Sequence, residues 1–332
     1  MSAPDLTPDG CSTGTSEATA GSAASATPTF APATAPPAAA SARAPERMGF
    51  PWRAAWSQLA GQRSLWWILV AWVAETIGFG VVLNHVMYQN LANGSFGVQA
   101  DSAQVEAFRD SLLPQNLASF GAGAVPFYGA AMALVIGALV VGNEYRHGTV
   151  RVLYTQGPGR LAVIGSQLVA LAAFLGIMTV ATYAADYIGL VGAAEVRDWP
   201  VGAPQAGPLL VAMGSTWLMT LAYGLVGAAL AVATRGTLWS LTIGLLWILG
   251  VDTLLIAIAK AVPWLTGPGQ ALIGAATSNL AVANGSYPWW PAVLSTEVTA
   301  AEGWIAAGVL AAWSTAAVAA ALFLVKRRDI GP

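Results

Sequence analysis

Six apolar stretches, each about as long as a bilayer is thick, constrain this chain more than anything else in it. They run over Leu65–Leu83, Phe120–Val141, Leu161–Gly189, Leu209–Ala233, Leu238–Ala259 and Trp304–Val325. A hydrocarbon core takes roughly 20 helical residues to cross, and inside it every backbone N–H and C=O must find its partner within the protein. A closed barrel would instead be written in alternating segments of about ten residues, and these stretches do not alternate. The expected fold is therefore all-α: a polytopic membrane bundle of six transmembrane helices.

Composition agrees. The chain is 56% hydrophobic and only 9% charged, with a mean hydropathy of +0.61, whereas a soluble domain carries about 25% charged residues. No basic patch exists for a nucleic acid. The single cysteine, Cys11, excludes a disulfide scaffold and a thiolate metal site. The first residues lack the basic and apolar regions of a cleavable signal, so the first span is expected to target the chain itself.

Residues 1–47 are rich in Ala, Pro, Ser and Thr without apolar periodicity, the signature of a disordered tail. Residues 48–332 form the expected membrane domain. Between Gly49 and Gln62, Trp52, Trp56 and Leu59 recur on one helical face flanked by arginines. That suits a helix lying among the lipid headgroups; an irregular lead-in to the first span is the alternative.

Lysine and arginine set the orientation, since they collect on the cytoplasmic side. With the N-terminus inside, that side receives Arg43, Arg47, Arg53, Arg63, Arg146, Arg151, Arg160, Arg235, Lys326, Arg327 and Arg328. The outside keeps Arg109, Arg197 and Lys260, so 11 of the 14 basic residues are cytoplasmic. Both termini are expected in the cytoplasm of a cell with this chain in its inner (plasma) membrane. Two long outer loops follow. Residues 84–119 are polar and partly structured in expectation. Residues 260–303 are so apolar, with Val262–Leu265 and Gln270–Gly274, that a helix dipping partway into the bilayer is expected.

The most informative stretch is Asn143-Glu144-Tyr145-Arg146-His147-Gly148-Thr149-Val150-Arg151 and its continuation to Arg160, between spans two and three. Gly148 can end a helix in the left-handed conformation and Thr149 can cap the next. A new helix would place Val150, Leu153 and Tyr154 on one face before Gly157-Pro158-Gly159 breaks it. That apolar face lies where no bilayer covers it and suits a groove on a partner. The alternative is a connecting loop whose arginines only enforce topology.

The run Asn143–Arg151 resembles the Glu-Tyr/Phe-Arg-x-Gly-Thr-x-Arg pattern of bacterial type-two ABC exporter permeases. The basic, Pro-containing turn, the six-span layout, the apolar outer loop and the Lys326-Arg327-Arg328 end extend the likeness over about residues 49–329. The resemblance implies a permease that forms a homodimer or heterodimer and recruits a separate ATPase subunit carrying ATP and magnesium. The 143–160 segment would be its coupling helix. Glu144 and Thr149 belong to the motif, Arg146, His147 and Arg151 would supply polar contacts, and Val150, Leu153 and Tyr154 would fill the groove. The chain has no phosphate loop of its own.

Three carboxylates fall inside spans: Glu75, Asp186 and Asp252. Each costs on the order of 3 kcal/mol at bilayer depth unless paired or wetted. They are candidates for lining a pathway for neutral or cationic substrates; the alternative is that each is protonated or bonded to a nearby Ser, Thr or Tyr, a reading that fits Asp186 best. Small residues recur every four positions at Gly129, Ala133 and Gly137, and at Gly227 and Ala231, as in close-packed helix seams. His85 and His147 are expected on opposite membrane faces, and no nucleophile triad or metal motif occurs. No enzyme activity and no bound cofactor are therefore expected. A proton-coupled transporter using Glu75 and Asp252, or a non-transporting scaffold or immunity protein, are the rival readings.

Overall fold

The computed structural model describes residues 52–94, 101–146, 160–286 and 300–327. Among them every regular element is helical and no strand occurs. Five helices are long and apolar enough to cross a membrane: Arg63–Ala92, Leu161–Val196, Ala206–Thr234, Thr237–Ala261 and Glu302–Arg327. They coincide with predicted spans one, three, four, five and six. The protein is a multi-pass membrane protein.

Span two is assembled in pieces. A single turn, Pro114–Asn116, leads into the helix Leu117–Ala122, then a wide π-helical stretch, Val125–Gly129, and then the helix Ala130–Arg146. Pro126 accounts for the break, because it has no N–H to donate and its ring crowds the preceding turn. Similar widened stretches interrupt span one at Thr76–Leu83 and span five at Trp247–Asp252.

The first span is longer than the hydropathy suggested. Predicted to end at Leu83, it continues as helix through Asn84–Ala92, so the loop that follows begins nine residues later. His85 and Asn84 are buried there and bond the preceding turn, His85 Nδ1 to Val81 O at 2.8 Å and Asn84 Nδ2 to Gly80 O at 2.6 Å. Polar side chains that satisfy themselves on their own helix let it run on past the apolar stretch. The loop also holds the helix Ser102–Ser111.

Spans three and four form the centre, with 56% and 61% of their apolar windows buried, against 22%, 22% and 28% for spans one, five and six. The peripheral helices present large apolar side chains outward, among them Trp67, Leu238, Leu249 and Trp304. Such a surface is what lipid requires and what a water-soluble chain avoids. The lead-in helix Trp52–Ala60 packs on span three with Leu59 and Ala55 buried.

Span two and span four meet most closely. A methyl group on Gly137 would fall on the carbonyl of Gly224, and one on Gly227 on the carbonyl of Leu134. The two backbones thus touch with no side chain between them. The expected small-residue stripe is a seam inside the bundle. Gly129, on the same stripe, makes room for Trp72, which would lie 2.8 Å from a Cβ there. Trp72 is fully buried and donates from Nε1 to Thr182 Oγ1 at 2.7 Å.

The apolar stretch after Lys260 contains a buried helix. Ile273–Ala283 has residues 275–281 buried. Its 11 residues reach only about 16 Å, too short to cross. Thr277 Oγ1 lies 3.3 Å from Tyr223 Oη of span four, and Gly303 of span six packs on Ala283.

The seam generates a prediction. Gly137→Val should lower the thermal unfolding midpoint of the detergent-purified protein by several degrees, since overpacking costs about 1–3 kcal/mol. Gly214→Ala and Gly308→Ala, where nothing lies within 4 Å of the new Cβ, should leave the midpoint unchanged or higher.

Candidate functional site: an acidic cavity at one end of the bundle

The cavity forms where two widened helices meet. The π-helical stretches of spans one and two put Phe79, Gly80 and Tyr128 around a cavity of about 50 Å³. Asn84, Phe108, Ser111, Ser119, Phe120, Asp186 and Ser286 complete the wall. These residues come from span one, the outer-loop helix, span two, span three and the chain after the buried helix. The cavity lies beside the N-terminal part of span two, at the far end of that span from Arg146.

Asp186 is the charged residue of the wall. It is 1% exposed, and neither carboxylate oxygen accepts a hydrogen bond among the described residues. Two hydroxyls near it in sequence have other partners. Thr182 receives Trp72 and bonds Met178 O at 2.9 Å, while Tyr183 Oη pairs with Thr216 Oγ1 at 3.0 Å. Gly80 opens the space in front of the carboxylate. A Cβ there would sit 3.4 Å from Asp186 Oδ1 and 3.5 Å from Tyr128 Oη.

Glu75 and Asp252 have different surroundings. Glu75 is half-buried at the end of the first helical stretch of span one, within electrostatic reach of Tyr128. The structure therefore brings Glu75 and Asp186 to one tyrosine. Asp252 is 2% exposed and stands apart, at the end of the widened stretch of span five. Its Oδ2 accepts the backbone N–H of Gly274 at 3.0 Å, in the first turn of the buried helix Ile273–Ala283. A carboxylate there satisfies an otherwise orphaned donor and meets the positive end of the helix dipole. This helix has no side-chain cap of its own, so span five supplies one. Asp252 Oδ1 is buried with no hydrogen-bond partner among the described residues.

Of the coupling residues, Glu144 and Arg146 lie in the last turn of the span-two helix, and their side chains are outside the described residues. His147, Thr149, Val150, Arg151, Leu153 and Tyr154 lie outside the described residues entirely. Sequence reasoning did not single out Tyr128, Asn84 or the three serines. The one signal for this region was glycine inside span one, Gly78 and Gly80, where a helix interior disfavours it. Among the described residues no group of three or more His, Cys, Asp or Glu could hold a metal ion.

Loss of the cap predicts a local effect. Asp252→Ala should destabilise the protein by about 1–2 kcal/mol, the usual worth of a helix cap, read as a lower unfolding midpoint. In a Cys11→Ser background, a cysteine at Ala275 should then become open to maleimide, whereas Asp252→Asn, which keeps an acceptor oxygen, should protect it.

Compared with known proteins, the chain matches no family model and no curated protein.

Proposed function

We propose that this protein is the membrane subunit of an ABC-type exporter, forming the translocation path and drawing energy from an ATPase on another polypeptide. The observation that carries the reading is the Asn143–Arg160 segment, whose residues match the exporter pattern at the junction of two spans. The fold is compatible with it. Span two ends in that segment and is also the helix whose backbone touches span four. A push on the segment would act on the centre of the bundle rather than on its rim.

In this reading the segment after Gly148 docks in a groove of the ATPase. Val150, Leu153 and Tyr154 fill the groove, and Arg146, His147 and Arg151 contact its polar edge. ATP-driven closure of the ATPase dimer shifts the equilibrium between inward- and outward-facing bundles, which requires only that ATP favour one state. The chain dimerises with itself or with a second permease in the inner membrane, its termini and the 143–160 segment in the cytoplasm. The spans tolerate such motion where their helical hydrogen bonding is already irregular, at the widened stretches of spans one, two and five.

One observation favours a second reading. Asp186, buried and without a hydrogen-bond donor in a cavity, is the type of group that ion-coupled transporters use. In that reading the protein moves its substrate against a cation gradient and needs no ATPase.

Leu153→Asp separates the two. From mild detergent, tagged wild-type protein should bring down an ATP-binding subunit, and Leu153→Asp should lose it, while the unfolding midpoint of the permease stays the same. If the intact protein brings down no ATPase, the exporter reading fails.

A further inference from the structure

The acidic cavity is built for a positive occupant, and its hydrogen-bond accounting shows why. Ser111 Oγ donates to Phe108 O at 2.7 Å, Ser119 Oγ to Asn116 O at 2.7 Å and Ser286 Oγ to Ser119 O at 2.5 Å. Asn84 Nδ2 donates to Gly80 O at 2.6 Å. A hydroxyl has one proton to give, so each serine has only lone pairs left for the cavity. Asn84 offers its carbonyl oxygen, and Asp186 offers two carboxylate oxygens that receive no donor among the described residues. Tyr128 brings one phenolic proton to the wall, against the two oxygens of Asp186 and those of Asn84 and the three serines, so acceptors are in excess, and no lysine or arginine lines it.

Other charged and titratable groups nearby do not correct the imbalance. Arg109, on the helix that carries Phe108 and Ser111, pairs with Asp110 at 3.3 Å. His85 stacks on Trp199, its centroid 5.6 Å away, and bonds Val81 O. Tyr183 is paired with Thr216. Glu75 adds negative charge near Tyr128. An unpaired carboxylate at this depth is costly, and only a cation or a proton can offset it.

Three further features choose the cation. The rings of Phe79, Phe108, Phe120 and Tyr128 line the same space, and an aromatic face attracts a cation and does nothing for a neutral acid. The oxygens come from five separate elements that line one cavity. The volume, about 50 Å³, holds a small ion with a water or two but not a drug-sized molecule, which needs about 300 Å³ or more. We propose that this cavity binds a small monovalent cation, an alkali metal ion or a methylammonium-sized ammonium ion, held by the Asp186 carboxylate and the oxygens of Asn84, Ser111, Ser119 and Ser286. The bound ion ties spans one, two and three together at their outer ends. The site does not depend on an ATPase partner, so its test uses this chain alone.

The test is thermal unfolding of the full chain in nanodiscs, titrated with NaCl, KCl or methylammonium chloride. N-methylglucamine chloride, whose cation is too large for the cavity, holds the ionic strength constant. Binding to the folded state should raise the midpoint saturably for at least one of the three ions, and which ion does so separates the alkali-metal source from the ammonium source. Asp186→Asn should abolish the rise. Gly80→Ala places a methyl between Asp186 Oδ1 and Tyr128 Oη at ordinary contact distance. It should leave the ion-free midpoint in place and weaken the apparent affinity by roughly tenfold or more, so the test stands even if Asp186→Asn does not fold. The proposal is overturned if no ion gives a saturable rise, or if Gly80→Ala responds like wild type. It is equally overturned if infrared spectra show a protonated-carboxyl band that Asp186→Asn removes and saturating cation leaves unchanged.

Discussion

Two helices in backbone contact hold the rest of this bundle in place. Gly137 and Gly227 bring spans two and four so close that no side chain fits between them. In lipid there is little hydrophobic drive to join helices, because the surrounding tails are as apolar as leucine. Close approach of small residues replaces it by letting dispersion contacts accumulate along the seam. Around this pair the bundle is layered. Span three packs on span four, span six and the buried helix Ile273–Ala283 cover the remaining face, and spans one and five lie at the edge.

Irregular stretches lie outside the seam itself, which is formed by Ala130–Arg146 and span four. Three spans carry widened stretches, each with weaker internal geometry than an α-helix. Two of them line the acidic cavity, and the third ends in Asp252, which accepts a backbone N–H in the first turn of the buried helix. The two buried aspartates thus divide their tasks by surroundings. Asp252 has a backbone donor and holds structure, while Asp186 has none and faces a space lined with acceptors. The same residue type at similar burial has different chemistry because one meets a helix N-terminus and the other does not.

Much of this fold is legible in the sequence, because length and hydropathy report bilayer thickness directly. The spans were placed to within a few residues at most ends, and the apolar stretch after Lys260 announced the buried helix. The exceptions were the end of span three, which runs seven residues past Gly189 to Val196, and the end of span one. His85, Gln89 and Asn90 lower the hydropathy there, yet the helix continues because His85 and Asn90 bond carbonyls four residues back. The small-residue stripe could be seen in sequence, but its partner helix could not. The cavity was least legible. Its polar wall comes from elements scattered between Asn84 and Ser286, with no common motif. Asp186 stood in the sequence beside Thr182 and Tyr183, which could have satisfied it. Only the structure shows both hydroxyls engaged with Trp72 and Thr216.

The exporter reading puts the 143–160 segment in the cytoplasm and the acidic cavity at the outer face, and it fails if that orientation is reversed. Membrane-impermeant maleimide on intact cells tests it directly, with single cysteines at Ala103 and at Gln156 in a Cys11→Ser background. The account predicts labelling of Ala103→Cys at once and of Gln156→Cys only after the membrane is opened. Labelling of Gln156→Cys on sealed cells would place the motif where no cytoplasmic ATPase could reach it, and would contradict the account.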